Sequence, residues 1–164
     1  MAQTVDGKIA KSINDNSLNW TSLEDKKHFG EVTKQIGTVI MGSKTYEAMG
    51  QKALKNRKLI IMTSNPKKYE TKEGVEFFTG TPEELVKNLE SAGVDHVVLA
   101  GGARLNNSFM KDKLVDELLI TVEPLIWGNG ISIFEGEQID AKLELIEIAK
   151  LNQDTLLLHY SVIK

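Results

Sequence analysis

Cysteine is absent from this 164-residue chain, and histidine occurs only three times. The first absence excludes disulfides, thiol catalysis and cysteine-ligated zinc, and it fits a reducing cytoplasm, the expected location. His28, His96 and His159 are scattered without metal-ligand spacing, so no protein-bound metal is expected. Positive charge is not in excess either: 20 Lys and Arg against 23 Asp and Glu give a net charge of −3. That balance offers no electrostatic footprint for nucleic acid. No apolar run is long enough to cross a membrane, and no signal peptide, repeat, low-complexity tract or linker is recognisable. These exclusions lead to a soluble protein, with residues 1–164 forming one domain large enough for a sizeable core.

What is present is an alternation of short apolar runs with helical segments. Strands are expected at Thr38-Val39-Ile40-Met41, over residues 58–63 and 75–78, and at His96-Val97-Val98-Leu99-Ala100. Others follow at 118–122, 143–149 and 155–163, the last two joined by a short turn. Helices are expected over 22–36, from a Thr81 cap to about Ala92, and over 103–111. In the second of these, Pro82 suits the first helical position and Gly93 the stop. Strands that are apolar throughout belong in a sheet covered on both faces, and intervening helices imply parallel crossovers. The expected fold class is therefore α/β, a three-layer αβα domain with a mixed, mostly parallel sheet.

Asp25 stands where this pattern calls for a core residue. Phe29, Val32 and Ile36 make the inward stripe of the first helix, and four residues before Phe29 is Asp25. A carboxylate on a buried face needs a partner or a ligand, which makes Asp25 a candidate for holding a substrate. A local reading competes. Thr21 with Glu24 has capping-box spacing, Ser22 with Asp25 is close to it, and acidic residues in a first turn suit the helix dipole.

Two strands also run into helices through glycine, at Met41-Gly42-Ser43-Lys44-Thr45 and Leu99-Ala100-Gly101-Gly102-Ala103-Arg104. Glycine lets a backbone approach a ligand closely, and free amides at a helix start favour phosphate. A pyrophosphate held between the two turns is one reading, and two ordinary turns are the other. Neither is a Walker loop or a G-x-G-x-x-G fingerprint.

Taken in order, these features become specific. Trp20, Asp25, Phe29, the run Val39-Ile40-Met41-Gly42-Ser43-Lys44-Thr45-Tyr46-Glu47, Arg57 before a strand ending Thr63-Ser64, Gly101-Gly102 and Thr121 together resemble dihydrofolate reductase. The resemblance runs from about Ala2 to the C-terminus. Val5-Asp6-Gly7-Lys8-Ile9-Ala10, Leu114-Val115-Asp116-Glu117-Leu118 and Gly128-Asn129-Gly130 look more like the broader branch that includes the riboflavin-pathway pyrimidine reductases.

The resemblance implies an NADPH-dependent oxidoreductase transferring a hydride to a C=N bond of a pterin, with 7,8-dihydrofolate as the leading substrate. It places Asp25 on the pteridine edge, Thr121 bonded to it directly or through a water, and Trp20 near the nicotinamide. Ala2 would border the substrate, and Phe29, Met49 and Leu54 would wall it. Arg57 would hold the glutamate-tail carboxylate through its two-pronged donor set. Ile9, Ala10, Gly42, Ser43, Lys44, Thr45, Met62, Thr63, Ser64, Gly101, Gly102, Ala103, Arg104 and Leu105 fall on the dinucleotide site. In the family the glycine pair carries a cis peptide.

Four positions depart from the family's pattern. Ser43 stands where many members have an arginine for the 2′-phosphate, leaving Lys44, Thr63 and Ser64 to read it. The loop 51–56 lacks the family's prolines and is about one residue longer, so the register at Leu54 is open. Leu105 replaces a tyrosine, and the family's first strand would begin upstream of Met1. A pyrimidine reductase of riboflavin biosynthesis is the nearest alternative, although the zinc deaminase half often fused to it is absent, with no H-x-E and no cysteine pair. A non-catalytic nucleotide-binding domain is the alternative of another class. The expected partner is a small-molecule substrate, with neither nucleic acid nor membrane. Leu125-Ile126-Trp127 with Ile131, Ile133 and Phe134 point either to a homodimer or to packing over their own sheet.

Overall fold

The protein is described from a computed structural model that covers residues 1–13, 15 and 19–164. In chain order the elements are β1 (Ala2–Thr4), β2 (Lys8–Ala10), α1 (Leu23–Ile36), β3 (Thr38–Gly42), α2 (Ser43–Ala48), β4 (Lys58–Met62) and β5 (Val75–Phe78). They continue with α3 (Pro82–Ser91), β6 (Val98–Leu99), α4 (Ala103–Lys111), β7 (Glu117–Glu123), β8 (Ile131–Ser132), β9 (Lys142–Lys150) and β10 (Leu156–Ile163). A wholly parallel sheet has the order β5-β4-β3-β6, and a second sheet has the order β1-β7-β10-β9. In the second, β1 runs parallel to β7 while β10 is antiparallel to both of its neighbours. Strands β2 and β8 form a small antiparallel pair. This is the α/β class expected, with parallel and mixed sheets.

The unbroken apolar character of β3 and β4 follows from burial on both faces. Val39, Met41, Leu59 and Ile61 pack on one side with Tyr46 of α2, while Ile40 and Ile60 pack on the other with Leu85 and Leu89 of α3 and Phe109 of α4. The helices are closed as their sequences suggest. Thr81 and Glu84 exchange side-chain bonds in a full capping box at α3, and Gly37 ends α1 in the left-handed conformation with φ of 84°. Strand β6 is shorter than expected: it stands at the sheet's end and pairs only with β3, through Val98 and Leu99. His96, Val97 and Ala100 lie outside it.

The first strand comprises only Ala2–Thr4, with Ala2 opposite Thr121 of β7. The loop after it is tied to the segment that follows β7. Asp6 accepts hydrogen bonds from Thr4 Oγ1 at 2.6 Å, Gly128 N at 2.7 Å and Trp127 N at 3.2 Å. Those donors, the Thr4 hydroxyl foremost, hold its carboxyl below the usual range. Trp127 packs edge-on to Trp20 with centroids 4.8 Å apart. Of the apolar residues in segment 125–134, Trp127, Ile131, Ile133 and Phe134 are partly buried on their own chain, whereas Leu125 and Ile126 are exposed, the latter to 73%. Among the described residues no helix is long and apolar enough to cross a membrane.

Candidate active site

A cleft of about 1010 Å³ runs from the carboxyl ends of the parallel strands to the inner face of α1. Drug-sized sites occupy roughly 300–1,000 Å³, so this one has room for a dinucleotide and a second small molecule. Every residue expected at the site lines it except Trp20, Leu54, Arg57 and Gly101. Trp20 packs against Trp127, its Nε1 closed off from solvent without a partner among the described residues. Leu54 packs into the cluster around Tyr46 and Leu59 instead. Arg57 donates from Nη1 to Thr33 Oγ1 at 2.7 Å and from Nε to the Lys55 carbonyl at 3.2 Å. Its Nη2 group has no partner among the described residues.

One half of the cleft is built from turns at strand ends. The peptide between Gly101 and Gly102 is cis, and the Gly101 carbonyl accepts Gly42 N–H at 2.8 Å. Gly101 has φ of +89°, which favours bare backbone there, and a Cβ on Gly102 would stand 3.1 Å from Thr45 Oγ1, a tight approach. Helix α4 begins at Ala103 with no side-chain cap, leaving its first amides available on the cleft beside Arg104. Thr45, Thr63 and Ser64 add hydroxyls.

Lys44 is less free than its position suggests. It pairs with Glu47 at 3.2 Å, and Glu47 also accepts from Lys68 and from Tyr69 Oη, each at 2.6 Å. Led by Lys68, these donors pull the Glu47 carboxyl from 4.5 to about 2. A lowered acid stabilises the folded chain above its ordinary value and loses that contribution as pH falls toward its folded one. Glu47→Gln should therefore flatten the acid limb of thermal melts between about pH 5 and pH 2. Parallel limbs for variant and wild type would contradict the assignment.

The other half is set by α1 and β7. Ser22 caps α1, its Oγ accepting Asp25 N–H at 3.2 Å. The Asp25 carboxylate does not return that bond, because Ser22 N–H donates to Glu123 Oε1 at 2.7 Å. Asp25 instead lines the cleft, its carboxylate without a hydrogen-bond partner among the described residues. Burial holds the Met1 amino group below its ordinary value while the charge of Asp25 acts in the opposite sense, so the two are electrostatic neighbours. Thr121, 2% exposed, lines the same wall without bonding Asp25 directly. Phe29, Val32, Ala48 and Met49 complete an apolar surface.

Several cleft residues were not anticipated. His28 lies one turn beyond Asp25, and Leu119 two residues before Thr121. Helical i+3 and strand i−2 spacing would have signalled both. The His28 Nε2 is closed off from solvent without a partner among the described residues. Lys26 also lines the cleft, which its position next to Asp25 did not announce.

The model of the RibD C-terminal domain matches residues 1–157. Among curated relatives, the uncharacterized protein YwjB of Bacillus subtilis is 31% identical over 98% of this chain and 94% of its own. A dihydrofolate reductase of Ureaplasma parvum is 32% identical over 73% of this chain and 70% of its own. The 2,5-diamino-6-ribosylamino-4(3H)-pyrimidinone 5′-phosphate reductase of Methanothermobacter thermautotrophicus is 33% identical over 48% of this chain and 39% of its own. Among solved structures, dihydrofolate reductase from Enterococcus faecalis superposes with a TM-score of 0.71 at 24% identity, over 99% of this chain and 94% of that one. With its fold shared with dihydrofolate reductase and two of these relatives reductases, this chain belongs to the RibD C-terminal domain family.

Proposed function

We propose that the protein is a cytoplasmic, NADPH-dependent reductase that transfers a hydride to a C=N bond of a small heterocyclic substrate, with 7,8-dihydrofolate as the first candidate. The observation that carries this reading is the Asp25 carboxylate, relieved of helix capping and set in a cleft large enough for two ligands. The turn at Gly101-Gly102 and the uncapped start of α4 fit a pyrophosphate, and Lys44, Thr63, Ser64 and Arg104 supply charge and hydroxyls beside it. NADPH bound there supplies the hydride.

The chain's own work is placement and charge. Asp25 holds the amide and amino edge of the ring and favours protonation of the imine nitrogen, the proton coming from water. Phe29, Val32 and Met49 line the cleft and would keep the substrate face dry, and enclosing substrate and cofactor in one cleft would supply proximity. Thr121 completes the polar floor beside Asp25.

A ribosylamino-pyrimidine phosphate is the second reading, and two observations favour it. The family model spans residues 1–157, and Arg57 and Leu54, which would serve a folate tail, do not line the cleft. NADPH oxidation followed optically with each substrate separates the readings. Turnover of dihydrofolate supports the first, and turnover of the pyrimidine alone transfers the assignment. Turnover of neither contradicts both and returns the chain to a nucleotide-binding role.

Cofactor preference should be modest. Lys44→Ala should weaken NADPH binding by about 1–2 kcal/mol, the scale of one charge-assisted contact, and leave NADH nearly unchanged. The existing Lys44–Glu47 pair puts the expectation at the lower end. Titrations showing equal loss for both cofactors would assign Lys44 to the pyrophosphate or the fold.

A further inference from the structure

Helices α1 and α3 start with the same local pattern and complete it differently. At α3, Thr81 Oγ1 accepts Glu84 N–H at 3.2 Å, and Glu84 Oε2 accepts Thr81 N–H at 2.8 Å. At α1, Ser22 Oγ accepts Asp25 N–H at the same 3.2 Å, so Asp25 occupies the position whose carboxylate would normally return the bond. The Ser22 N–H goes instead to Oε1 of Glu123, 101 residues along the chain.

Glu123 is held firmly for this purpose. It is 3% exposed, and its other oxygen accepts Thr155 Oγ1 at 3.0 Å. Thr155 is itself buried, and its N–H donates to Asn152 Oδ1 at 2.8 Å. No Lys or Arg pairs with Glu123 among the described residues. A carboxylate so far from water is unfavourable unless both oxygens are bonded, as they are here. Glu123 closes β7 two residues beyond Thr121, so one strand supplies a cleft residue and the anchor of α1.

We infer that Glu123 is a positioning residue for Asp25. By taking the Ser22 N–H it removes the local bond that would fold the Asp25 carboxylate back over the helix start, and leaves that carboxylate in the cleft. Its consequence for rate rests on the proposed role of Asp25 as substrate anchor, whereas its consequence for the Asp25 side-chain conformation does not.

Glu123→Ala frees the Ser22 N–H, and Asp25 is the acceptor placed by the capping geometry to take it. The pre-steady-state rate of NADPH oxidation, with dihydrofolate or the ribosylamino-pyrimidine phosphate, should fall about tenfold or more, since acid–base assistance is withdrawn. NADPH affinity should not change. Glu123→Gln should stay within about threefold of wild type, because its carbonyl can accept Ser22 N–H while its amide donates to Thr155 Oγ1. Thr155→Val, a milder change that loosens Glu123 without removing it, should give an intermediate loss and guards against an Ala variant that does not fold.

Two readouts separate positioning from general destabilisation. In an Asp25→Asn background, Glu123→Ala should slow the reaction by no more than about twofold further, because both changes remove one function. The Asp25 Hα–Hβ couplings, measured by NMR without substrate, should show a rotamer change in Glu123→Ala and Thr155→Val and none in Glu123→Gln. Additive rate losses or an unmoved rotamer would overturn the inference. If the wild type turns over neither substrate, the reductase reading fails, and the couplings alone decide the placement of Asp25.

Discussion

Asp25→Asn should slow hydride transfer by about 10²-fold or more at neutral pH, the span expected when acid–base assistance is lost. Asparagine keeps the shape and would serve a helix cap nearly as well as aspartate, so a capping role forecasts little change. The structure separates these outcomes: the cap is Ser22, and the reciprocal bond belongs to Glu123, so the capping of α1 does not use the Asp25 carboxylate. Thermal stability should hold or rise, because a carboxylate without a hydrogen-bond partner has left a partly buried wall. The rate defect should ease at low pH, where solution protonates the substrate directly. NADPH affinity should be unaltered, since the turns proposed to hold the pyrophosphate are at Gly42 and Gly101-Gly102 and not on α1. A variant with wild-type turnover at neutral pH would remove Asp25 from the chemistry.

Arg57→Ala should raise KM for dihydrofolate roughly 10–100-fold with a smaller effect on kcat, the pattern of binding shared by ground and transition states. Two guanidinium nitrogens are occupied, by Thr33 Oγ1 and the Lys55 carbonyl, and Nη2 is left over. That arrangement fixes the plane of the group and keeps donors for a carboxylate that reaches past the residues lining the cleft. Arg57→Lys should not restore the lost affinity, because an ammonium cannot reproduce the planar fork. A dihydropterin without the glutamate tail should be insensitive to either change. Equal losses with and without the tail would mean that Arg57 serves the loop and α1 instead, and would favour the pyrimidine reading.

The parts of this picture that the sequence disclosed are those governed by local or periodic rules. β3 and β4 were recognisable because burial on both faces keeps them apolar throughout. The start of α3 was recognisable because Thr81, Pro82 and Glu84 carry its whole cap within four residues. Asp25 shows the limit of such rules. Whether it caps or faces a ligand depends on where the Ser22 N–H goes, and its acceptor is 101 residues away. No window around α1 contains that information.

Pairings of two or three residues were beyond reach for a similar reason. Strands β2 and β8 are too short to show a period, and β6 keeps only two residues. The loop leading to Arg57 could not be registered either. Gln51 and Asn56 adopt left-handed conformations, with φ of 55° and 60°, in a loop that lacks the family's prolines. Leu54 consequently joins the core under Tyr46 and not the cleft. The nearest cleft neighbours, His28 and Leu119, were by contrast available from spacing alone.

A crystal structure with NADP⁺ and folate bound together tests the placement of Asp25 most directly. The Asp25 carboxylate should be in hydrogen-bond contact with the amino and amide edge of the pterin, with Ser22 N–H still on Glu123 and the dinucleotide across Gly101-Gly102. A ternary complex in which Asp25 has turned back to Ser22 N–H, with the pterin ring held by other groups, would contradict it.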